Sequence, residues 1–158
     1  MSCNEHRPRT SVTLSVPKIF KLAVLVLCWQ SLYGTGFAHA NAGLLTGGAQ
    51  SLEPLTLSVV TPLASAPYNL ESGKYYKIDI VCDGSGELAI SGAEFFRNIW
   101  IDEVIINDIE IRPLGLHSLE FDDEGTATIK FIAIRPGNFV LRIPGSTNDS
   151  QRALFNIR

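Results

Sequence analysis

The sequence predicts an all-β domain, either a two-sheet sandwich or a small barrel. Short runs of β-branched and aromatic residues recur from about residue 54 onward, and Gly, Pro, Asn and Asp separate them. No long stretch shows the spacing of apolar residues that marks an amphipathic helix. Residues 76–80 and 139–143 alternate in polarity, which indicates strands with one buried and one solvent-facing side.

Nine strands are predicted in this part of the chain. They cover residues 55–60, 75–82, 87–91, 103–106, 109–112, 117–121, 126–134, 138–143 and 153–157. Residues 122–125 and 135–138 are predicted turns, because each contains a glycine that can adopt the positive φ such turns often need. Residues 93–100 are the one segment predicted to form a short helical turn.

The first forty residues have the layout of an export signal. Four basic residues lie between positions 7 and 21, residues 22–29 are apolar, and the sequence around Ala40 has the small-x-small pattern of a cleavage site. A membrane anchor is disfavoured because an apolar run of eight residues is far shorter than the roughly 20 a spanning helix needs. We therefore expect a periplasmic or secreted protein without a transmembrane anchor after cleavage behind Ala40.

The remaining 118 residues suit one domain with its own core. Residues 41–53 are small and Gly-rich and are predicted to form a flexible leader, so that the folded domain covers residues 54–158. The signal takes four of the thirteen basic and one of the sixteen acidic residues, which leaves nine against fifteen and a net charge of −6. Such a surface repels phosphate backbones, so nucleic-acid binding is not expected.

Soft metal ligands are scarce after residue 40, where the chain has one cysteine, Cys82, one histidine, His117, and no methionine. An intramolecular disulfide is therefore impossible in the mature chain. Cys82 is either a reactive thiol, an intermolecular disulfide partner or, as we favour after an alternating strand, a small buried residue. His117 is either a metal ligand or proton carrier or, as we favour for a lone histidine, an ordinary strand or loop residue.

Three segments carry a resemblance to a known family. These are residues 93–97 (AEFFR), residues 131–139 (FIAIRPGNF), and the stretch from Pro144-Gly145 through Arg152 to Ile157. In this order and at similar spacings they resemble segments of periplasmic cupredoxins, over residues 70–158. The resemblance implies a cupredoxin-like Greek-key β-sandwich.

The same resemblance implies that the copper site is empty. The family's two histidines would fall near Leu88 and at Ser146, its cysteine near Arg142 or Ile143, and its methionine near Gln151. A blue-copper centre needs a thiolate and two imidazoles, usually with a weak axial ligand, and Gln151 could serve only as the last of these. We therefore expect no type 1 copper and no other cofactor.

One predicted turn is rich in acidic residues, which favours an alternative function for the chain as a metal-handling protein. The predicted turn with Asp122, Asp123 and Glu124, together with His117, offers oxygen-rich ligands to a hard cation of the calcium or lanthanide type. The spacing of a calcium-binding loop is absent, and a solvated acidic turn is the simpler interpretation. The same acids are also suited to guide the approach of a basic partner.

Catalysis has little support, because the sequence lacks a nucleophile elbow, a zinc-protease helix motif and a phosphate loop. We expect a non-catalytic, exported accessory module that binds a periplasmic or secreted protein. Its predicted partner surface joins the loop that replaces the copper loop to the aromatic segment near it. The residues are Phe95, Phe96, Arg97, Ser146, Asn148, Gln151 and Arg152. The aromatic side chains Phe95, Phe96 and Trp100 are either part of such a recognition patch or, as we favour, cap one end of the sandwich. The oligomeric state does not follow from the sequence.

Overall fold

Eleven strands, one short α-helix and one 3₁₀-helix make up the part of the chain that the computed structural model describes, Leu45 and residues 47–158. The strands are β1 (Gln50–Ser51), β2 (Leu55–Leu57), β3 (Tyr68–Leu70), β4 (Tyr75–Cys82), β5 (Leu88–Ser91), β6 (Ile99–Ile106), β7 (Ile109–Ile111), β8 (Ser118–Phe121), β9 (Gly125–Ala133), β10 (Gly137–Arg142) and β11 (Arg152–Ile157). The α-helix α1 spans Ala93–Arg97, and the 3₁₀-helix spans Asp149–Gln151.

The strands form two sheets. The first sheet has the order β1-β4-β9-β6-β7, with β2 also paired to β4, and the second has the order β3-β11-β10-β5-β8. Consecutive strands cross from one sheet to the other several times, as they do in Greek-key sandwiches. The predicted all-β sandwich with a single short helical turn is confirmed.

The amino-terminal edge of the first sheet differs from the prediction. Gln50 and Ser51 pair in parallel with Tyr76 and Lys77. The backbone N–H of Leu52 donates to the carbonyl of Lys77 at 2.8 Å. The folded part therefore starts before Pro54, and the last residues of the predicted leader belong to the sheet.

The export signal predicted at residues 1–40 lies outside the described residues. Among the residues that the structure describes, no helix is long and apolar enough to cross a membrane.

Two elements were misjudged from local pattern alone. The three-residue strand β3 was missed, because its pairing with Phe155 to Ile157 of β11 joins residues that are distant in sequence. Ile99 and Trp100 were predicted to end a helical turn, but they begin β6 and pair with Ala133 and Ile132 of β9. Tertiary pairing thus overrides local preference at both places.

The core between the sheets is organised around Phe95 of α1. Its ring lies 4.3 Å from that of Phe155 in the second sheet and 5.6 Å from that of Phe131 in the first, measured between centroids. Tyr68 also stacks on Phe155, with ring centroids 4.7 Å apart and an angle of 10° between the planes. Aromatic pairs at such distances add to the free energy gained by burial. A helix of only five residues is therefore fixed to both sheets.

Candidate functional site

The outer side of the second sheet carries a ladder of two exposed cross-strand pairs. In the antiparallel pairing of β10 with β11, Val140 lies opposite Leu154 and Arg142 lies opposite Arg152. Alternation turns Leu141 and Ala153 into the core, where both are almost fully buried, and leaves these four side chains on the surface. We call Val140, Arg142, Arg152 and Leu154 the β10–β11 face.

A groove of about 470 Å³ runs beside this face. It lies between the start of α1 and the two central strands, and its lining residues are Gly92, Ala93, Glu94, Asn138, Phe139, Val140, Arg142 and Arg152. A second groove of about 310 Å³ lies on the other side of Arg152 and Leu154, against residues 64–67 and Asp149. Arg152 therefore stands between the two grooves and lines both.

Gly92 sets how closely the helix approaches the strand. A Cβ at this position would lie 2.5 Å from Cδ2 of Leu141 and 2.6 Å from the carbonyl oxygen of Val140. Because no side chain can occupy that space, the start of α1 packs directly against β10. The wall of the groove is thus positioned by a main-chain contact.

The charges of the β10–β11 face are poorly compensated. Arg152 has an ion pair with Asp149 at 3.1 Å, but the Asp149 side chain is 91% exposed and therefore holds it weakly. Arg142 makes no ion pair or side-chain hydrogen bond with any residue that the structure describes. Like charges placed directly opposite each other on neighbouring strands are destabilising.

The outer side of the first sheet shows the opposite arrangement. Glu103 is buried and accepts hydrogen bonds from Nζ of Lys130 at 2.6 Å and from Nη2 of Arg112 at 3.0 Å. Asp102 accepts from Nη1 of Arg112 at 2.9 Å and from the hydroxyl of Tyr75 at 2.7 Å. The charges on this side are satisfied within the sheet.

Those contacts also raise the pKa values of two groups, Lys130 and Tyr75. The hydrogen bond to Glu103 raises the pKa of Lys130 above its ordinary value. Burial, followed by the hydrogen bond to Asp102, raises the pKa of Tyr75. Both shifts favour the protonated form of the group in the folded protein.

The predicted partner surface is brought together only in part. Glu94 of α1 and Arg152 line the same groove, so the helix and the end of the β10–β11 loop do meet. The inclusion of Phe95 and Phe96 was wrong, because their exposures are 1% and 4% and their rings fill the core. The sequence favours a helix here, but it does not show that both aromatic side chains turn inward.

The polar residues of the loop shape the loop itself. The side chain of Asn148 caps the 3₁₀-helix by accepting from the N–H of Ser150 at 3.1 Å, and Oγ of Ser146 accepts from the N–H of Asn148 at 3.3 Å. Nε2 of Gln151 donates to the carbonyls of Ser58 and Thr61 at 3.3 and 3.2 Å. These three predicted contact residues therefore hold the loop in place beside Arg152.

Arg97 lies at the carboxyl end of α1. Its guanidinium is exposed and lies 3.5 Å from the Glu94 carboxylate, outside the residues that line the groove. Sequence reasoning had missed Val140, Arg142 and Leu154, although the alternation over residues 139–143 already placed Val140 and Arg142 on the solvent side.

Similarity to solved structures is found with copper proteins. The chain superimposes on a multi-copper oxidase from Pseudomonas thermotolerans with a TM-score of 0.50 and 14% identity, over 70% of this chain and 30% of that one. The 2F4 variant of the McoA multicopper oxidase from Aquifex aeolicus gives a TM-score of 0.50 and 12% identity, over 72% and 30%. The domain has a cupredoxin-like fold.

A dithionite-reduced auracyanin from the photosynthetic bacterium Roseiflexus castenholzii is matched over 70% of this chain and 99% of its own length, with 12% identity and a TM-score of 0.45. The cupredoxin-like chain spans about a third of the length of a copper nitrite reductase from Nitrosomonas europaea, at 33%, and less of the oxidases. No protein-family model matches the sequence, and no curated protein matches it.

The donor set does not fit a type 1 copper ion. The positions that the cupredoxin resemblance assigns to ligands hold Leu88 on β5, Arg142 or Ile143 at the end of β10, and Ser146 and Gln151 in the following loop. None of them supplies a thiolate or an imidazole. Cys82 is buried at the end of β4, opposite Gly125 of β9, and lies outside the β10–β11 loop.

The acidic turn and His117 lie outside the β10–β11 loop of the cupredoxin-like domain. Asp122, Asp123 and Glu124 connect β8 to β9 and are exposed, and His117 is exposed just before β8. Over Leu45 and residues 47–158, no three His, Cys, Asp or Glu side chains are grouped so that they could hold a metal ion. Hard-cation binding by these residues stays a prediction.

Proposed function

We propose that this cupredoxin-like domain is an exported, non-catalytic binding module that contacts a protein partner through the β10–β11 face. The observation that carries the proposal is the pair of opposed arginines, Arg142 and Arg152, next to the exposed pair Val140 and Leu154. This combination lies on the neighbouring strands β10 and β11 of the second sheet.

The composition of the face favours an interface. Arginine is enriched in protein–protein interfaces, where it combines a charged fork with an apolar stem. Val140 and Leu154 are 37% and 46% exposed and lie side by side, so they form one apolar patch rather than two isolated positions. A partner that covered all four residues would remove apolar area from water and relieve the repulsion between the two arginines.

The contrast between the two sheets supports the choice of this side. Glu103 and Asp102 on the first sheet are neutralised by Lys130 and Arg112, so that surface has little unsatisfied charge to offer. Arg142 forms no ion pair in the described residues, and the one acid among the residues that line its groove, Glu94, is paired with Arg97. In a chain that is acidic as a whole, an uncompensated basic site favours the approach of a partner in one orientation.

Export, the absence of copper chemistry and the non-catalytic role are inferred from other features of the chain. Export is inferred from the signal-like pattern of residues 1–40. The absence of copper chemistry is inferred from the residues at the ligand positions, which offer neither sulfur nor imidazole. The non-catalytic role is inferred from the lack of any recognisable catalytic motif in the sequence.

Site-specific photocrosslinking in the producing organism tests the proposal. The photoreactive residue benzoylphenylalanine replaces Val140 or Leu154 on the β10–β11 face, and replaces Trp100, which is 47% exposed on the first sheet, as the control. We expect one protein adduct of defined mass from positions 140 and 154 and none from position 100. Equal adducts from all three positions, or none from any, would contradict the proposal.

A further inference from the structure

We infer that the partner presents an extended acidic segment, with a carboxylate placed between Arg142 and Arg152 and an aliphatic side chain placed on Val140 and Leu154. This inference rests on the proposed function and adds the chemistry of the partner to it. The occupant is a segment of another protein, and free anions and a second copy of this chain are alternatives that the experiment separates.

The charge complement comes from the register of the strands. Arg142 and Arg152 are paired residues of the ladder, so their side chains leave the sheet next to each other and line the same groove. Their planar guanidinium groups bind a carboxylate through two parallel N–H donors. A carboxylate between them would satisfy Arg142 and weaken the repulsion between the two cations.

The apolar complement lies one step along the same ladder. Val140 and Leu154 are two residues from Arg142 and Arg152 along each strand and on the same side of the sheet. A free phosphate or carboxylic acid would leave this patch uncovered. A peptide in which an acidic residue is followed closely by a leucine or an isoleucine would cover both pairs at once.

The β10–β11 face lies on strands that are only partly flanked by others. β10 pairs with β5 only through Arg142 and Ser91, and β11 pairs with β3 only through Phe155, Asn156 and Ile157. We place the partner's contacts on the side chains of the face, because these side chains carry both the charge and the apolar patch. The groove beside α1, where Gly92 allows the helix to pack closely on β10, has room for a few side chains rather than for a folded element.

A phage-displayed library of random seven-residue peptides is the probe for this chemistry. The full chain is produced with export, purified and immobilised, and peptides are selected against it and then against the double variant Arg142→Gln/Arg152→Gln. We expect enriched peptides to combine Asp or Glu with a nearby aliphatic residue. Their affinity should fall at least tenfold on the double variant and at least fivefold when the peptide acid is replaced by its amide.

Two control variants separate charge from geometry. Arg135→Gln removes the same charge from the exposed turn between β9 and β10, outside the groove, and should leave affinity within twofold of the wild type. Arg142→Lys keeps the charge but loses the planar fork, and we expect an intermediate loss of about threefold to fivefold. A full loss with Arg135→Gln would mean that net charge alone is responsible, which overturns the inference.

The remaining outcomes identify which idea fails. Enriched peptides without an acid, or peptides that bind the double variant equally well, overturn the acidic segment and leave the binding module intact. Displacement of the peptides by inorganic phosphate at its own micromolar dissociation constant would assign the groove to a small anion instead. A dimer in sedimentation that Arg142→Glu dissolves would assign it to a second copy. The crosslinking result at Val140 remains an independent test of the module itself.

Discussion

Arg142 lies directly opposite Arg152 in the antiparallel pair of β10 and β11, with both guanidinium groups on the solvent side. Such a like-charged pair lowers the stability of the free protein. The pair also lines the groove beside α1, and its surroundings lead to several measurable expectations.

Replacing Arg142 with glutamine should make the free protein more stable. Loss of one positive charge removes the cross-strand repulsion, which is worth roughly 0.2–1 kcal/mol for directly opposed pairs. Urea unfolding followed by Trp fluorescence measures the gain. Arg135→Gln, with the same charge change away from any opposed cation, should be neutral within error. A clear loss of stability on Arg142→Gln would mean that the side chain has a structural role instead.

Placing a methyl group at Gly92 should destabilise the domain. The added Cβ would overlap Cδ2 of Leu141 at 2.5 Å and the carbonyl oxygen of Val140 at 2.6 Å, so α1 must move away from β10. Overpacking of this kind costs about 1–3 kcal/mol. Gly115→Ala is the matched control, because nothing lies within 4 Å of its Cβ, and thermal unfolding should show no loss for it.

Truncation of Phe95 to alanine should have a larger effect than any change on the surface of the helix. Its ring contacts Phe155 and Phe131 in opposite sheets, and buried Phe→Ala substitutions cost about 3–5 kcal/mol. Arg97→Gln, two residues along and exposed, should change the free energy of unfolding by less than about 0.5 kcal/mol. Similar losses from both variants would contradict the assignment of Phe95 to the core.

Stability should decrease as the pH rises above 10. The pKa values of Lys130 and Tyr75 are raised in the folded state above their ordinary values of 10.5 and 10.0. The unfolded chain therefore loses these protons first, and the stabilisation that is complete below pH 10 is lost as the pH passes through the folded pKa values. Urea midpoints between pH 8 and pH 11 measure this.

Lys130→Met and Tyr75→Phe should each reduce the slope of that pH dependence, even where they lower stability at pH 8. Lys77→Met is a suitable control, because Lys77 forms only a longer contact of 3.5 Å with Asp79 and has little energy to lose. An unchanged slope in both test variants would show that other groups dominate the alkaline transition.

Addition of cupric salt to the purified protein should give no intense visible absorption band. The ligand positions of the cupredoxin pattern hold no thiolate or imidazole, so the charge transfer that colours a blue-copper centre has no donor. Calcium and a lanthanide should leave the fluorescence of the exposed Trp100 unchanged up to millimolar concentration. A response that disappears with Asp122→Asn/Asp123→Asn would instead support the hard-cation alternative.

Much of the fold could be predicted because alternation is a local property. Residues 76–80 and 139–143 alternate in the sequence, and the structure buries Tyr76, Ile78, Ile80 and Leu141 as that pattern requires. The short strands β1 and β3 could not be found in this way, because a two- or three-residue segment has no period to detect. Their parallel pairing with distant strands decides their conformation.

The candidate site was harder to predict than the fold. The sequence predicts a partner surface that includes Arg152 and the loop before it, and Arg152 lines the groove beside α1. It assigns Arg142 only to a position vacated by a copper ligand. Its pairing with Arg152 depends on the register of β10 and β11, which the loop of residues 143–151 sets and which no local pattern reveals. The sequence also does not show that Phe95 and Phe96 are both buried. Which side of a single helical turn faces the core depends on the residues that pack around it.

The short strands β1 and β2 lie one after the other along the same border of β4, a strand of eight residues rich in isoleucine and tyrosine. Without these two strands, the border would expose a row of unpaired amide and carbonyl groups. Strands of other molecules could pair with such an edge and form fibres. Residues 50–57 cover this border with two very short strands, which is one of the ways in which β-proteins limit association between sheet edges.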